Sequence, residues 1–210
     1  AMEAMRDSMA HRGPDGKGCW ESEDRRIGLA HRRLAIVDLS DTAAQPMSDP
    51  DGTVWVTFNG EIYNHLALRH ELKDAGHRFR TDHSDTEVLV HGYREWGIDG
   101  LLKRLDGMFA FAIWDASRNV LAMARDRVGI KPIYFCRHGG VFRFASEIKA
   151  ILTDPAVPRA VEPALGLRRW RAFAANHEQL RQFFAEAREP VPFARCGELR
   201  RKAFQPRDQL

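Results

Sequence analysis

The sequence predicts an α+β fold, and three observations carry that prediction. Its β-rich segments come in neighbouring pairs joined by short turn signals. Its helix-prone segments cluster between those pairs, and no strand alternates with a crossover helix as a parallel sheet requires. The 210 residues, 44% of them hydrophobic and 29% charged, suffice for one domain with a real core, or for one domain and an appendage.

The start reads as an amphipathic helix, with Met2, Met5 and Met9 at helical spacing and a break at Gly13-Pro14. A chain that opens inside a helix with no cap ahead of it reads as cut. Residues 27–39, with Ile27, Leu29, Leu34, Ile36, Val37 and Leu39, read as strand and close in the polar turn Asp38-Leu39-Ser40-Asp41. Thr53 to Phe58 alternates, is rich in β-formers and is expected to end at Asn59-Gly60. From Asn64 to Ala75 the pattern is helical, with Asn64 as cap and Gly76 as stop. The next helix starts at Ser84-Asp85-Thr86-Glu87, a capping box in sequence, and stops at Gly97; a short helix follows from Asp99 to Leu105. Strands are expected at Met108–Asp115, Val120–Arg125, Ile133–Arg137 and Val141–Ala145, the last two flanking the hairpin signal His138-Gly139-Gly140. Ser146 is placed to cap a short helix through Leu152.

Beyond about Val161 the character changes. Residues 164–188 are Ala/Arg/Gln/Glu/Phe-rich and helix-prone, and 189–210 are irregular and basic, which divides the chain into 1–161 and 162–210. The net charge of +3 sits in that tail: residues 162–210 hold ten Lys/Arg against six Asp/Glu, residues 1–161 twenty-two against twenty-three. A basic tail can touch nucleic acid, but nothing in the body supports such a partner. No apolar run is long enough to span a membrane, and the first residues are no secretory signal. Cys19, Cys136 and Cys196 are widely spaced, form no CxxC pair and no zinc pattern, and read as reduced cytoplasmic thiols.

Seven strings stand out: His11-Arg12-Gly13-Pro14-Asp15-Gly16, Arg33-Leu34-Ala35-Ile36-Val37-Asp38, Phe58-Asn59-Gly60-Glu61-Ile62-Tyr63-Asn64, Ser84-Asp85-Thr86-Glu87, Asp106-Gly107-Met108-Phe109-Ala110-Phe111, Arg125-Asp126-Arg127-Val128-Gly129-Ile130-Lys131-Pro132 and Ala145-Ser146-Glu147-Ile148-Lys149-Ala150. In order and spacing they resemble the class II glutamine amidotransferase domain of asparagine synthetases, over roughly residues 3–161. Relatives serving purine or glucosamine synthesis carry different strings at the Arg33 and Asn59 positions. The resemblance implies a four-layer αββα sandwich of two mainly antiparallel sheets, the N-terminal-nucleophile hydrolase fold, incomplete here at its N-terminus. It also implies hydrolysis of glutamine to glutamate and ammonia through a cysteinyl thioester.

That chemistry needs a thiolate, a base, oxyanion donors and a clamp for the amino-acid head group. The Asn59 amide and the Gly60 backbone N–H match the family's oxyanion hole. Taken alone, Asn-Gly after a strand reads as a type I′ turn; within its string the oxyanion reading wins. Arg33 matches the residue that grips the α-carboxylate, where a bidentate guanidinium suits a planar acceptor. Its plain reading is a solvated strand-edge cation, the reading assigned to Arg32 beside it. Asp85 matches the acceptor of the α-amino group, with Glu61 assisting, although an acid in a helix's first turn is favoured by the macrodipole without any ligand.

The turns His11–Asp15 and Arg125–Arg127 read as structural. The histidines show no metal-ligand spacing, His65-His70 and His77-His83 read as surface residues, and no metal is expected. Phe109, Phe111, Ile113 and Trp114 read as core strand. In the family the nucleophile is a cysteine exposed at residue one, whose own α-amine is the base, so none of the three cysteines here can substitute. The chain is therefore expected to be cut at both ends and inactive as written, with the first strand of a central sheet lost. Nothing after residue 161 resembles the synthetase half, in which ATP and magnesium serve the amidation of aspartate; a shifted reading frame is the favoured explanation. A homodimer is implied only for that parent enzyme. The alternatives are a non-catalytic glutamine-binding or regulatory relative, a synthetase-like amidotransferase acting on another acid, and a basic-tail interaction protein.

Overall fold

The computed structural model describes residues 1–35 and 41–159. The predicted tail from residue 162 and the close of the 27–39 strand lie outside the described residues. The elements are α1 (Met2–Asp7) with a 3-10 turn at Ala10–Arg12, β1 (Gly16–Glu21), β2 (Gly28–Arg33), β3 (Met47–Ser48), β4 (Val54–Ile62), α2 (His65–Asp74), α3 (Asp85–Arg104), β5 (Gly107–Asp115), β6 (Val120–Arg125), β7 (Tyr134–His138), β8 (Val141–Ala145) and α4 (Ile148–Ile151). Every pairing among them is antiparallel: β1 with β2, β3-β4-β5-β6 in that order, and β7 with β8.

Strand alternation gives β4–β5 two working faces. Val56, Phe58 and Ile62 of β4 and Phe111 and Ile113 of β5 pack against Leu68 and Leu72 of α2 and Val88, Leu89 and Leu101 of α3. On the opposite face the small residues Ala110 and Ala112, with Met123 of β6, leave room for Phe135, Phe142 and Phe144 of the β7–β8 hairpin. A third cluster joins Ala145 and Tyr134 to Ala150 and Ile151 of α4 and to Met5 and Met9 of α1. Three separate interfaces require four layers: α1 and α4, then the hairpins, then the β3–β6 sheet, then α2 and α3. The αββα sandwich expected from the sequence is the fold observed. No helix among the described residues is long and apolar enough to cross a membrane.

Three local expectations are corrected. Asn59-Gly60 does not end its strand: β4 runs on to Ile62, with Asn59 opposite Ala110 and Gly60 opposite Phe109. The Ser84–Glu87 capping box does not form, since Ser84 makes no side-chain cap. Glu87 turns inward instead and accepts from the Arg80 and Thr81 amides at 2.7 and 2.9 Å and from the Thr81 hydroxyl at 2.6 Å. Nor does the Asn64 side chain cap α2; it bridges the Arg104 carbonyl and the Asp106 amide, at 2.8 and 3.1 Å. Gly97, by contrast, does break its helix, with φ of 65° at a kink inside α3.

Candidate functional site

Between β2, the middle of β4, the start of α3 and β8 lies a cavity of about 750 Å³. Arg33, Asn59, Gly60, Glu61 and Asp85 all line it. Residues separated by 52 positions in sequence, and read from the sequence as one site, thus share one wall system.

Gly60 is held by its neighbours. A Cβ there would overlap the Met108 carbonyl and stand 2.7 Å from Phe109 Cα, so only glycine allows β4 and β5 to approach this closely. Beside it, the Asn59 carboxamide donates from Nδ2 to Ser146 Oγ at 3.4 Å, which ties the dipeptide to the end of β8. Asp85 is 6% exposed, and its Oδ2 accepts the Ile62 amide at 3.1 Å. Burial pushes its pKa above the ordinary aspartate value, against the pull of the Ile62 amide. This acid therefore faces β4 and the cavity as well as heading its own helix.

Arg33 closes β2, half-buried, and its carbonyl accepts the Asp15 amide at 3.0 Å. Its neighbour Arg32 is not the solvated cation its position suggested: its side chain is 14% exposed and its Nε donates to the Gly13 carbonyl at 2.9 Å. That contact needs Gly13, where a Cβ would collide with the Arg32 peptide. The rest of the His11–Asp15 turn is structural as read, with His11 and Arg12 each 3.2 Å from Glu147 at the head of α4. Asp126 is structural as well. Burial alone would raise its pKa, but amides from Lys131, Ile130 and Phe109 hold it below the ordinary value.

Two lining residues carried no signal in the sequence. Gln45 accepts the Phe58 amide at 2.7 Å and donates to Thr86 Oγ1 at 3.2 Å, so one carboxamide sets both β4 and the start of α3. His31 sits on β2 against Thr57, with burial and then the Arg33 charge depressing its pKa to about 4. It is a neutral wall of the cavity. His77 is not a plain surface residue either, since its Nδ1 lies 3.2 Å from Nδ1 of His91, which is 3% exposed.

Of the cysteines, Cys19 is exposed on β1, 2.9 Å from Arg6 Nη1, and Cys136 is half-buried on β7. No cysteine among the described residues lines the cavity. Nor do those residues contain a cluster of three or more His, Cys, Asp or Glu side chains arranged to hold a metal ion. Among its charged lining residues the cavity offers the Arg33 guanidinium and the Glu61 and Asp85 carboxylates for a charged head group, with the Asn59 side-chain amide and the Gly60 backbone N–H beside them.

Comparison with known proteins agrees with this fold. A family profile for the glutamine amidotransferase domain matches residues 1–206. The chain is 44% identical over 163 residues to asparagine synthetase [glutamine-hydrolyzing] 3 of Bacillus subtilis, covering 77% of this chain and 26% of that protein. With asparagine synthetase [glutamine-hydrolyzing] 1 of the same organism it shares 44% identity over 151 residues, 72% of this chain and 23% of the relative. Among solved structures, the glutamine phosphoribosylpyrophosphate amidotransferase of B. subtilis, complexed with ADP and GMP, superposes with a TM-score of 0.60 at 26% identity, covering 75% of this chain and 41% of that one. The chain spans about a quarter of the length of the curated relatives it matches. With the same fold, and with the residues expected from the sequence gathered on one cavity, it belongs to the glutamine amidotransferase domain family.

Proposed function

We propose that the cavity binds glutamine, and that the whole protein hydrolyses it to glutamate and ammonia for ATP-dependent amidation of aspartate. The observation that carries this reading is the convergence of Arg33, Asn59, Gly60, Glu61 and Asp85 on one cavity. Arg33 takes the α-carboxylate in a bidentate pair, and Asp85 with Glu61 takes the α-ammonium. The side-chain amide then points its carbonyl oxygen at Asn59 Nδ2 and the Gly60 N–H. In the chemistry, a thiolate adds to the amide carbon, the C–N bond breaks as ammonia leaves with a proton, and water cleaves the thioester to glutamate. The two donors stabilise the oxyanion of each tetrahedral stage, a role worth on the order of a hundredfold in rate per donor.

The thiolate is not supplied by Cys19 or Cys136, neither of which lines the cavity. On this reading the 210-residue chain binds glutamine without turning it over, and the second reading is a non-catalytic glutamine-binding or regulatory relative. ATP and magnesium would serve the acceptor-activating portion of the whole protein, not this cavity. A cytoplasmic location with reduced thiols fits that setting, as does a homodimer of the whole protein, while the basic tail is read without a nucleic-acid role.

The test is a glutamine titration of the 210-residue protein followed by amide chemical shifts, with ammonia release measured alongside. Shifts at Asn59 and Gly60, an at least tenfold loss of affinity in Arg33→Met, and no ammonia are expected. Absence of shifts, or unchanged affinity in Arg33→Met, overturns the binding reading; steady ammonia release overturns the assignment of inactivity. Asp85→Asn separates a binding acid from a structural one. Because burial raises the Asp85 pKa, ionising it opposes folding at neutral pH, so the variant should weaken glutamine binding and raise the melting temperature.

A further inference from the structure

We propose a second ligand site, for a small oxyanion, in a cavity of about 410 Å³ at the far end of β5. It lies between the last turn of α3, the start of β5 and the loop after β6, and Arg125, Lys103 and Arg127 are its basic lining residues. It shares no lining residue with the glutamine cavity.

Arg125 is the centre of this site. Its Nη1 is buried and makes no hydrogen bond among the described residues. Leaving such a donor unmet costs stability, so a fold that keeps one has a reason to. The neighbouring acid is not its partner: Asp126 spends its carboxylate on the amides of Ile130 and Lys131, at 2.8 and 2.9 Å, and of Phe109, at 3.3 Å. The loop is also shaped around the guanidinium. Gly129 has φ of 72°, and a Cβ there would overlap the Arg125 guanidinium, so the bare glycine leaves room for the charged plane. Arg125 lines the cavity together with two exposed cations, and a small rotation of the guanidinium brings the buried, unmet N–H to a carboxylate or a phosphate held there. The cavity is also lined by Asp99, whose Oδ1 is buried, by the exposed Asp106 and by Asp126, which restricts the ligand to small ones that sit against Arg125 and away from those carboxylates.

The probes are sodium phosphate and sodium succinate, titrated separately into the 210-residue protein at constant ionic strength, to about 50 mM so that a millimolar site is seen. We expect saturable amide shifts at Gly107, Val128 and Gly129 with at least one of them; the tighter of the two identifies the ligand class. Arg125→Met should weaken that binding at least tenfold, and Arg33→Met should leave it unchanged. Should Arg125→Met not fold, the double variant Lys103→Gln/Arg127→Gln, whose side chains are exposed, should weaken it severalfold. Linear, non-saturating shifts with both anions, or affinity unchanged in whichever of these variants folds, overturn the proposal.

Discussion

The β3–β6 sheet and the two hairpins face each other across the proposed glutamine cavity, and they are built differently. Along β5 every residue from Phe109 to Asp115 is buried, because one face packs on α2 and α3 and the other on the hairpins. The hairpins are thinner: β2 buries only Leu29 and β8 only Ala145, and β1 and β7 bury no residue fully. The proposed oxyanion donors, which must be fixed to fractions of an ångström, stand on the sheet. Arg33, whose long side chain can adjust to a head group, stands on a hairpin. Where each residue sits matches how much movement its task tolerates.

The comparison breaks first at Glu87, which anchors α3 behind the sheet. Its side chain is buried, and burial alone would raise its pKa; bonds from His91, Arg80 and Thr81 instead draw it down to about 2. Glu87→Ala strips four donors of their acceptor and should cost about 3–5 kcal/mol in denaturant unfolding. A loss below about 1 kcal/mol would show that the sheet side is no firmer than the hairpins. The ionised form is favoured by folding, so this stabilisation persists above the ordinary glutamate range and fades as pH falls from about 4.5 towards 2.

Gly60→Ala is next, at about 2–3 kcal/mol, because the added methyl must displace β5 backbone. Glutamine binding should disappear with it, and a variant that keeps both stability and binding would remove the close β4–β5 approach from the argument. His31 sharpens the comparison on the hairpin side. Below the ordinary 6.5 the unfolded chain takes up a proton that the folded chain refuses until about 4, so stability should fall across that window. His31→Gln should flatten the fall, as read from melting temperature against pH. The smallest effect is expected at Glu147, 23% exposed, where replacement by Ala should cost no more than about 1 kcal/mol despite its contacts with Arg12, Lys149 and His11.

Much of this was legible in the residues. The bounds of β6 and β8 follow from alternation between turn residues, and Gly97 breaks its helix as its type suggests. Asn59-Gly60 misled as a strand end because the pair is the commonest hairpin signal, and only the register with Ala110 and Phe109 shows it mid-strand. Ser84–Glu87 misled because local pattern offers a cap, whereas burial beside Thr81 and His91 offered the carboxylate better partners. Gln45 left no trace at all. Its partners lie 13 and 41 positions away, and a lone glutamine in a loop carries no periodicity to read. The five site residues were legible only as parts of longer strings, since each alone has an ordinary structural meaning.

The three separate cores also set an order of events. The outermost, between α1, α4 and the β7–β8 hairpin, holds four buried residues among those described, where the core behind the sheet holds sixteen. The outer layers can then open as a unit of low local stability while β4 and β5 stay paired. In native-state hydrogen exchange, amides of β7 and β8 should exchange through this partial opening, and those of β4 and β5 only through global unfolding. The roof of the proposed glutamine cavity would thus come and go many times within the lifetime of its floor, giving ligands a route in that leaves Asn59 and Gly60 undisturbed.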